Sequence, residues 1–523
     1  MPPLLPLSSM PLALAFALYA SPALAAEGYY QTKTPYAPQQ DPATYAAPPA
    51  GFQPIYTQLV ARHGSRGLTG MKGDAALYAM WQQAAAQDGL TPLGRELGPD
   101  ILALMRANAL LGHGVAGIET PGYGNLSQTG LEEHRQLAAR LLARLPTLFA
   151  QVAQDAATAP RQLVAIHSGV DRARDRARFF TQSLLEHAPA LAPLLYLPPA
   201  PAPYPQGRPP VAQPDGVNRF LLYAHKLAPQ TDLVTDAANP YYATYGASQA
   251  YQRYLRTKGL HALMDAPARQ PAAAAHARHV LERLFAPAFL ARFEHGASYA
   301  DTGSHTFTSA DGTFTRTLTG SGKTVIRSQN AAATKLYELY AIAAGLRHEV
   351  PADFSRYMPV DDARYYAAVA DHEDFYAKGP ATVESKGVTW RFALALREDF
   401  FQEVDALAKG DVRHAAKLRF THAEMLIPLA SAMGLPGAQT PLPAATAYSY
   451  ASNPWRGAQV SPLAANMQWD VFRNAEGRLI VRLLYNEKET PFQAACDGAR
   501  IAPGSVFYDY AGLQACYGHV AAK

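Results

Sequence analysis

Five consecutive residues, Arg62-His63-Gly64-Ser65-Arg66, set an imidazole between two guanidiniums. Charges that close repel one another, and repel the ring once it is protonated, so the stretch gains from a bound anion. A dianionic phosphoryl group is such a partner. Guanidinium forks match phosphate oxygens two at a time, and a glycine lets the backbone come close to an anion. A histidine held there can itself attack phosphorus and form a phosphohistidine, because its imidazole is neutral at mild pH. The transition state spreads charge over the equatorial oxygens, so flanking cations stabilise it. Phosphate monoester hydrolysis needs accelerations of up to about 10²¹-fold, more than one short motif supplies.

Two further stretches carry suitable groups. "HSGVDRARDRARFF" (167–180) puts Arg172 at the start of a helix that follows a strand. "RFTHAE" (419–424) puts His422 and Glu424 at another strand-to-helix junction. His422 can donate to phosphate, and Glu424 can protonate a departing alcohol and later activate water. Taken singly, each has a plainer reading: solvated loop arginines, a capping histidine, a first-turn carboxylate favoured by the helix dipole. Taken with Arg62, His63 and Arg66, they read as one phosphate site.

These residues carry a resemblance. Arg-His-Gly-x-Arg with a downstream His-Ala-Glu is similar to the signature of the clade 2 histidine acid phosphatases. The His-Ala-Glu form resembles the multiple inositol polyphosphate phosphatase (phytase) group, most relatives having His-Asp there. "GNLSQTGLEEHRQLAARL", "HAEMLIPLASAMGL" and "LAANMQWDVFR…LIVRLLYNEKE" extend the likeness over roughly residues 51–520. It implies His63 as nucleophile, Arg62, Arg66, Arg172 and His422 as the phosphate clamp, and Glu424 as proton donor. It also implies phytate as substrate and no metal or organic cofactor. One departure is that many relatives read Arg-His-Gly-x-Arg-x-Pro, whereas Gly67-Leu68 follows Arg66 here.

The elements that must position these groups are legible as patterns. "IYTQLVA" (55–61) alternates as a half-buried strand, and "RQLVAIHSG" (161–169) is a second. Residues 92–111 recur at helical spacing, and 131–154 predicts one long amphipathic helix. Strand, polar loop, helix, repeated, predicts a layered α/β sheet with a second, mainly helical domain; the resemblance implies that this is the histidine phosphatase fold, a mixed central sheet flanked by helices. Ligands in such sheets sit beyond the carboxyl ends of the strands, where His63 and Arg172 fall.

The expected organisation is a signal peptide at 1–25, an extended lead-in at 26–54, and a first part of the α/β domain at 55–200, with about 70–125 given to the helical lobe. A mainly helical domain follows at 201–400, entered through the proline-rich "LPPAPAPYPQGRPPVAQPDG" (197–216). It carries a Thr-rich hairpin or flap at 302–328 that turns at Asp311-Gly312. The second part of the α/β domain is 401–523, with a further hairpin about Asn474–Gly477.

At 523 residues the chain can bury a large core, and 49% apolar with 17% charged residues describes a globular protein. Net charge is only +4, without a run of consecutive Lys/Arg, so nucleic acid is not an expected partner. The apolar run Pro11–Ala20 before Ala23-Leu24-Ala25 reads as a cleaved export signal, although no Lys or Arg precedes it. The mature chain is then periplasmic or secreted, with no membrane segment, and nothing in the sequence sets an oligomeric state. Cys496 and Cys516 are the two cysteines, and in an exported chain they pair most simply as a disulfide.

Some signals point elsewhere. "TGSGKT" (319–324) lacks the upstream glycine of a phosphate-binding loop, since Thr317 stands there. Lys323 and Arg327 remain candidate contacts for distal phosphates of a polyphosphorylated substrate, though solvated loop charges are the plainer reading. His276 and His279, three apart, read as a solvated face without carboxylate partners. Asp171, Arg174 and Arg176 support the site or pair at the surface, and Asn486-Glu487 line the pocket or merely end a strand. The resulting expectation is an exported phosphomonoesterase of inositol polyphosphates. Its rivals are a broad acid or sugar-phosphate phosphatase, a phosphomutase, and an inactive phosphate-ester binding protein.

Overall fold

The computed structural model describes residues 28–201 and 213–521. The expected signal peptide lies outside them, as do residues 202–212 of the proline-rich break. Strands β1 (Gln53–Arg62), β2 (Gln162–His167) and β3 (Leu195–Tyr196) come first. Four short strands follow, β4 (Tyr299–Ala300), β5 (Ser304–Thr308), β6 (Thr315–Thr319) and β7 (Val325–Ile326). The last five are β8 (His414–Thr421), β9 (Asn466–Arg473), β10 (Leu479–Tyr485), β11 (Lys488–Glu489) and β12 (Phe507–Asp509).

Eight of them form a mixed sheet in the order β11-β10-β9-β1-β8-β2-β3, with β12 pairing β10. The β1, β8, β2 and β3 neighbours run parallel, while β9 meets β1 antiparallel and continues as a hairpin into β10. β1 alternates as its pattern predicts: Tyr56 and Val60 enter one core with Phe400, Met425 and Trp469, while Leu59 and Ala61 enter the opposite one with Leu418, Phe420 and Phe180. Both faces are therefore covered.

Helices α1 (Gly73–Ala85), α2 (Pro92–Leu110), α3 (Gln128–Arg144), α4 (Pro146–Gln154) and α5 (Asp171–His187) follow in chain order. The single helix expected over 131–154 is two, α3 and α4. The chain leaves helical geometry at Leu145, and Pro146 opens α4 at the position where a missing N–H costs nothing. A separate core joins α1 and α2 to the helices Pro271–Glu282, Gln329–Ala343 and Val360–Ala377. The Thr-rich stretch holds the β5–β6 hairpin, with Gly312 at φ 71° in the connecting loop.

The reading of His276 and His279 as a solvated face is corrected here. Both Nδ1 atoms lie 2.7 Å from the oxygens of buried Asp362, a carboxylate more than eighty residues away in sequence. Asn486 and Glu487 are buried and end β10, and Glu487 accepts from Arg140 and Tyr36. Cys496 and Cys516 are joined as a disulfide. Closing that loop contributes roughly 3 kcal/mol. No described helix is long and apolar enough to cross a membrane.

Candidate active site

Strand register brings the distant motifs together. Arg62 pairs with Thr421 across β1 and β8, and His167 pairs with Phe420 across β2 and β8. The next residues, His63, His422 and Ser168, therefore emerge side by side at the carboxyl edge of the sheet, and the His63 and His422 rings lie 6.1 Å apart.

The loop after β1 is pressed against the first turn of α3. A Cβ on Gly64 would sit 2.6 Å from the Gly130 carbonyl and 2.7 Å from Glu133 Oε2, and one on Gly130 would collide with the Ser65 carbonyl. Glycine is required at both positions. Glu133 locks the loop: Ser65 donates its backbone N–H to Oε2 at 2.6 Å and its hydroxyl to Oε1 at 2.8 Å, while the Tyr36 N–H donates at 2.8 Å.

His63 Nδ1 lies 3.0 Å from the Gly64 carbonyl, which can only accept, so Nδ1 carries the proton and Nε2 keeps its lone pair. Burial, then Arg62, Arg66, Arg176 and Arg172, hold the ring's pKa well below the ordinary histidine value. Arg66 Nε approaches Nε2 at 3.4 Å. A buried, neutral, oriented imidazole faces the cations.

Among the described residues Arg62, Arg66, Arg172 and Arg176 form no salt bridge with any carboxylate. Arg62 donates Nη1 to the Thr32 carbonyl at 2.6 Å and to that of Ser461, leaving Nε without a partner. Its pKa falls to about 10 through burial, Glu424 opposing, and that of Arg66 to about 9 through burial and Arg172. Arg172 Nε also has no partner. Arg176, which sequence reasoning left unsorted, is fully inaccessible. It donates to the carbonyls of Arg172 and Thr421, tying the start of α5 to the end of β8, and leaves Nη2 unpaired. Asp171 and Arg174 are exposed, and Arg174 reaches Glu119.

His422 sets its Nε2 2.8 Å from Ser168 Oγ, leaves Nδ1 unpaired, and packs edge-on against Tyr223 and His225. Burial, then Arg176 and Arg172, keep it neutral. Burial pushes the Glu424 carboxyl up, but Lys378, followed by His225 and His422, outweighs it and holds the group well below the usual carboxylate range. Both imidazoles are neutral in mild acid, burial holding His225 at about 4, so Lys378 is the charge that counts there. Lys323 and Arg327 are exposed, and no described contact joins them to this cluster. Glu133, His225 and Lys378 escaped the sequence reading, and Arg176 was named there without being assigned. The signal for Arg176 was its place among several arginines on the helix beside Arg172; the other three carried none. Among the described residues no group of His, Cys, Asp and Glu is arranged to hold a metal ion.

Four guanidiniums without a salt-bridge partner among the described residues, around a neutral imidazole and with a carboxylate beside them, make a site suited to an anion. The sequence matches the histidine phosphatase superfamily (branch 2) over residues 55–486. The chain belongs to that family and is a phosphoric monoester hydrolase. It is similar to the multiple inositol polyphosphate phosphatase of Bifidobacterium longum, whose inositol hexasulfate complex matches at 30% identity with a TM-score of 0.77, over 94% of this chain and 97% of that one. The phosphate complex of the same protein gives 30% identity and 0.79, over 94% and 98%. The phytase from D. castellii, at 13% identity and 0.53 over 95% and 87%, shares the fold alone. No curated protein sequence gives a significant match.

Proposed function

We propose that the chain is an exported phosphomonoesterase acting on phytate and lower inositol polyphosphates through a phosphohistidine at His63. The observation that carries this is the neutral His63 Nε2 among guanidiniums that form no salt bridge with a carboxylate among the described residues. A phosphate dianion supplies the missing negative charge. Arg62, Arg66, Arg172 and His422 clamp its oxygens while Nε2 attacks phosphorus, and the alcohol leaves on the opposite side. Glu424 gives that alcohol its proton. In the empty site it is a carboxylate, but a dianion alongside it offsets Lys378 and repels its charge, so its pKa rises on binding. The same carboxylate then activates the water that frees phosphate from the imidazole.

The inositol substrate rests on the His-Ala-Glu form and on the B. longum enzyme binding inositol hexasulfate. Export rests on the N-terminal apolar run and the disulfide. Phosphate release from phytate, with product isomers resolved and glucose 1-phosphate run alongside, tests the substrate. Turnover of glucose 1-phosphate without phytate turnover gives the broad or sugar-phosphate reading instead. His63→Ala abolishes release from every ester. Glu424→Gln slows alkyl esters more than activated aryl esters, and equal losses on both would count against Glu424 as the acid.

A further inference from the structure

We propose that Arg176 is a positioning residue that sets the acid limit of the reaction: it holds two parts of the phosphate cage by their backbone and presents an unpaired charge to the cage imidazoles. The inference rests on the reading of His63 as the nucleophile.

Arg176 lies one turn beyond Arg172 on α5 and is fully inaccessible. Its Nε donates to the Arg172 carbonyl at 2.6 Å, and Nη1 donates to the carbonyl of Thr421, the residue before His422. One guanidinium therefore fixes where α5 delivers Arg172 and where β8 releases His422. The remaining nitrogen, Nη2, is buried without a partner. Contacts to two carbonyls do not require a charge, and burying a charge without a carboxylate is costly. The charge has another use.

Four buried histidines from four segments feel it: His63 after β1, His134 on α3, His167 at the end of β2 and His422 after β8. Burial, then Arg176 ahead of every other charge, lowers His134, His167 and His422, and His167 falls to about 4. On His63, burial is followed by Arg62 and Arg66, the ring's own neighbours, then by Arg176 and Arg172.

Negative charge does little to oppose this. Glu133 on α3 is engaged by Ser65 and Tyr36, and burial raises its pKa. Asp175 pulls against the other charges at Arg176, but burial raises it to about 6, and Arg174 approaches it at 3.8 Å. Glu424 pulls His422 upward, while Lys378 and His225 face that carboxylate. A proton on His63 Nε2 removes the lone pair that attacks phosphorus. A guanidinium keeps its own proton throughout the acid range, so its repulsion persists where carboxylates have lost their charge.

The acid limb of kcat/KM for 4-nitrophenyl phosphate is measured in phosphate-free buffer for the wild type, Arg176→Gln and Arg176→Lys. The substrate's own titration is common to all three. Arg176→Gln keeps an amide donor and loses the charge, and its limb moves up by about one pH unit, the scale for one nearby charge. Its loss of kcat/KM is then about tenfold greater below the limb than above it. Arg176→Lys keeps the charge and holds the wild-type limb. A loss equal at every pH marks a structural tie alone and overturns the proposal, as does an unmoved limb in Arg176→Gln. A second reading needs no change at Arg176: in ¹³C-histidine-labelled wild type, the signal missing from His63→Ala belongs to a ring still neutral at pH 5. Half-protonation of that ring at pH 6 or above overturns the proposal. A shifted limb in Arg176→Gln together with ester turnover surviving in His63→Ala overturns the nucleophile reading and leaves the role of Arg176 standing.

Discussion

The side chains of Arg144, at the end of α3, and Arg482, on β10, and those of Arg62, at the end of β1, and Arg176, on α5, are all nearly inaccessible to water, yet their surroundings are opposite. Asp470 pairs with Arg144 at 3.0 Å and with Arg482 at 2.9 Å, Arg482 also reaches Glu489 at 3.0 Å, and nearby Arg140 reaches Glu487 at 2.7 Å. Burial works against Arg144, but Asp470 overrides it and the pKa rises, whereas Arg62 sinks to about 10. Burying a guanidinium is costly, and a carboxylate partner offsets the cost. Where the fold omits the partner, the site waits for an anion. Pairing, rather than arginine content, separates scaffold from active site.

Breaking the contrast from the catalytic side gives the largest effect. Arg66→Gln lowers kcat/KM for all phosphate esters by about 10² to 10³-fold, the scale for losing one transition-state donor. Its thermal stability in phosphate-free buffer is not reduced, because a repulsive charge has gone. Breaking it from the scaffold side does the reverse. Asp470→Asn leaves two buried guanidiniums short of charge and costs about 3–5 kcal/mol in urea unfolding, while kcat per folded molecule holds.

Phosphate sharpens the comparison. At about a hundred times its Kd it stabilises the wild type by about 2.7 kcal/mol. Arg66→Gln at the same phosphate concentration shows much less, and Asp470→Asn gains as much as the wild type.

The smallest effect is in pH. His63 and His422 have pKa values held below the unfolded value of about 6.5. Between the two values the unfolded chain binds more protons, so their contribution is present above pH 6.5 and is lost as pH falls. His519 has the opposite sign: despite burial, its hydrogen bonds to the accepting carboxylates of Asp405 and Glu398 raise it, so its contribution is present below pH 6.5 and is lost as pH rises through the folded value. Urea unfolding at pH 5 and pH 7 of the wild type and of His519→Gln separates the two signs. The variant loses more at pH 5 than at pH 7.

Much of this contrast was legible in the sequence because local chemistry repeats. The alternation in β1, the Thr-rich hairpin and the Arg-His-Gly-x-Arg loop each declare themselves within a few residues. Partners set by register do not. Asp362 lies 86 and 83 residues from His276 and His279, and the hold of Glu133 on Ser65 spans 68. Gly130 reads as an ordinary helical glycine until the Ser65 carbonyl is seen against it. Arg176 was visible as a residue, but its burial depends on how α5 crosses the end of β8. The break at Leu145-Pro146 was readable and lost to the amphipathic pattern on either side.

The account turns on His63 Nε2 attacking phosphorus from inside an unneutralised cage. Rapid quench of enzyme with ³²P-labelled substrate, followed by peptide mapping in alkali, tests this directly. The expected result is an alkali-stable, acid-labile phosphate on the peptide containing His63, absent from His63→Ala. Turnover at full rate with no covalent label, or a label on another residue, would contradict it.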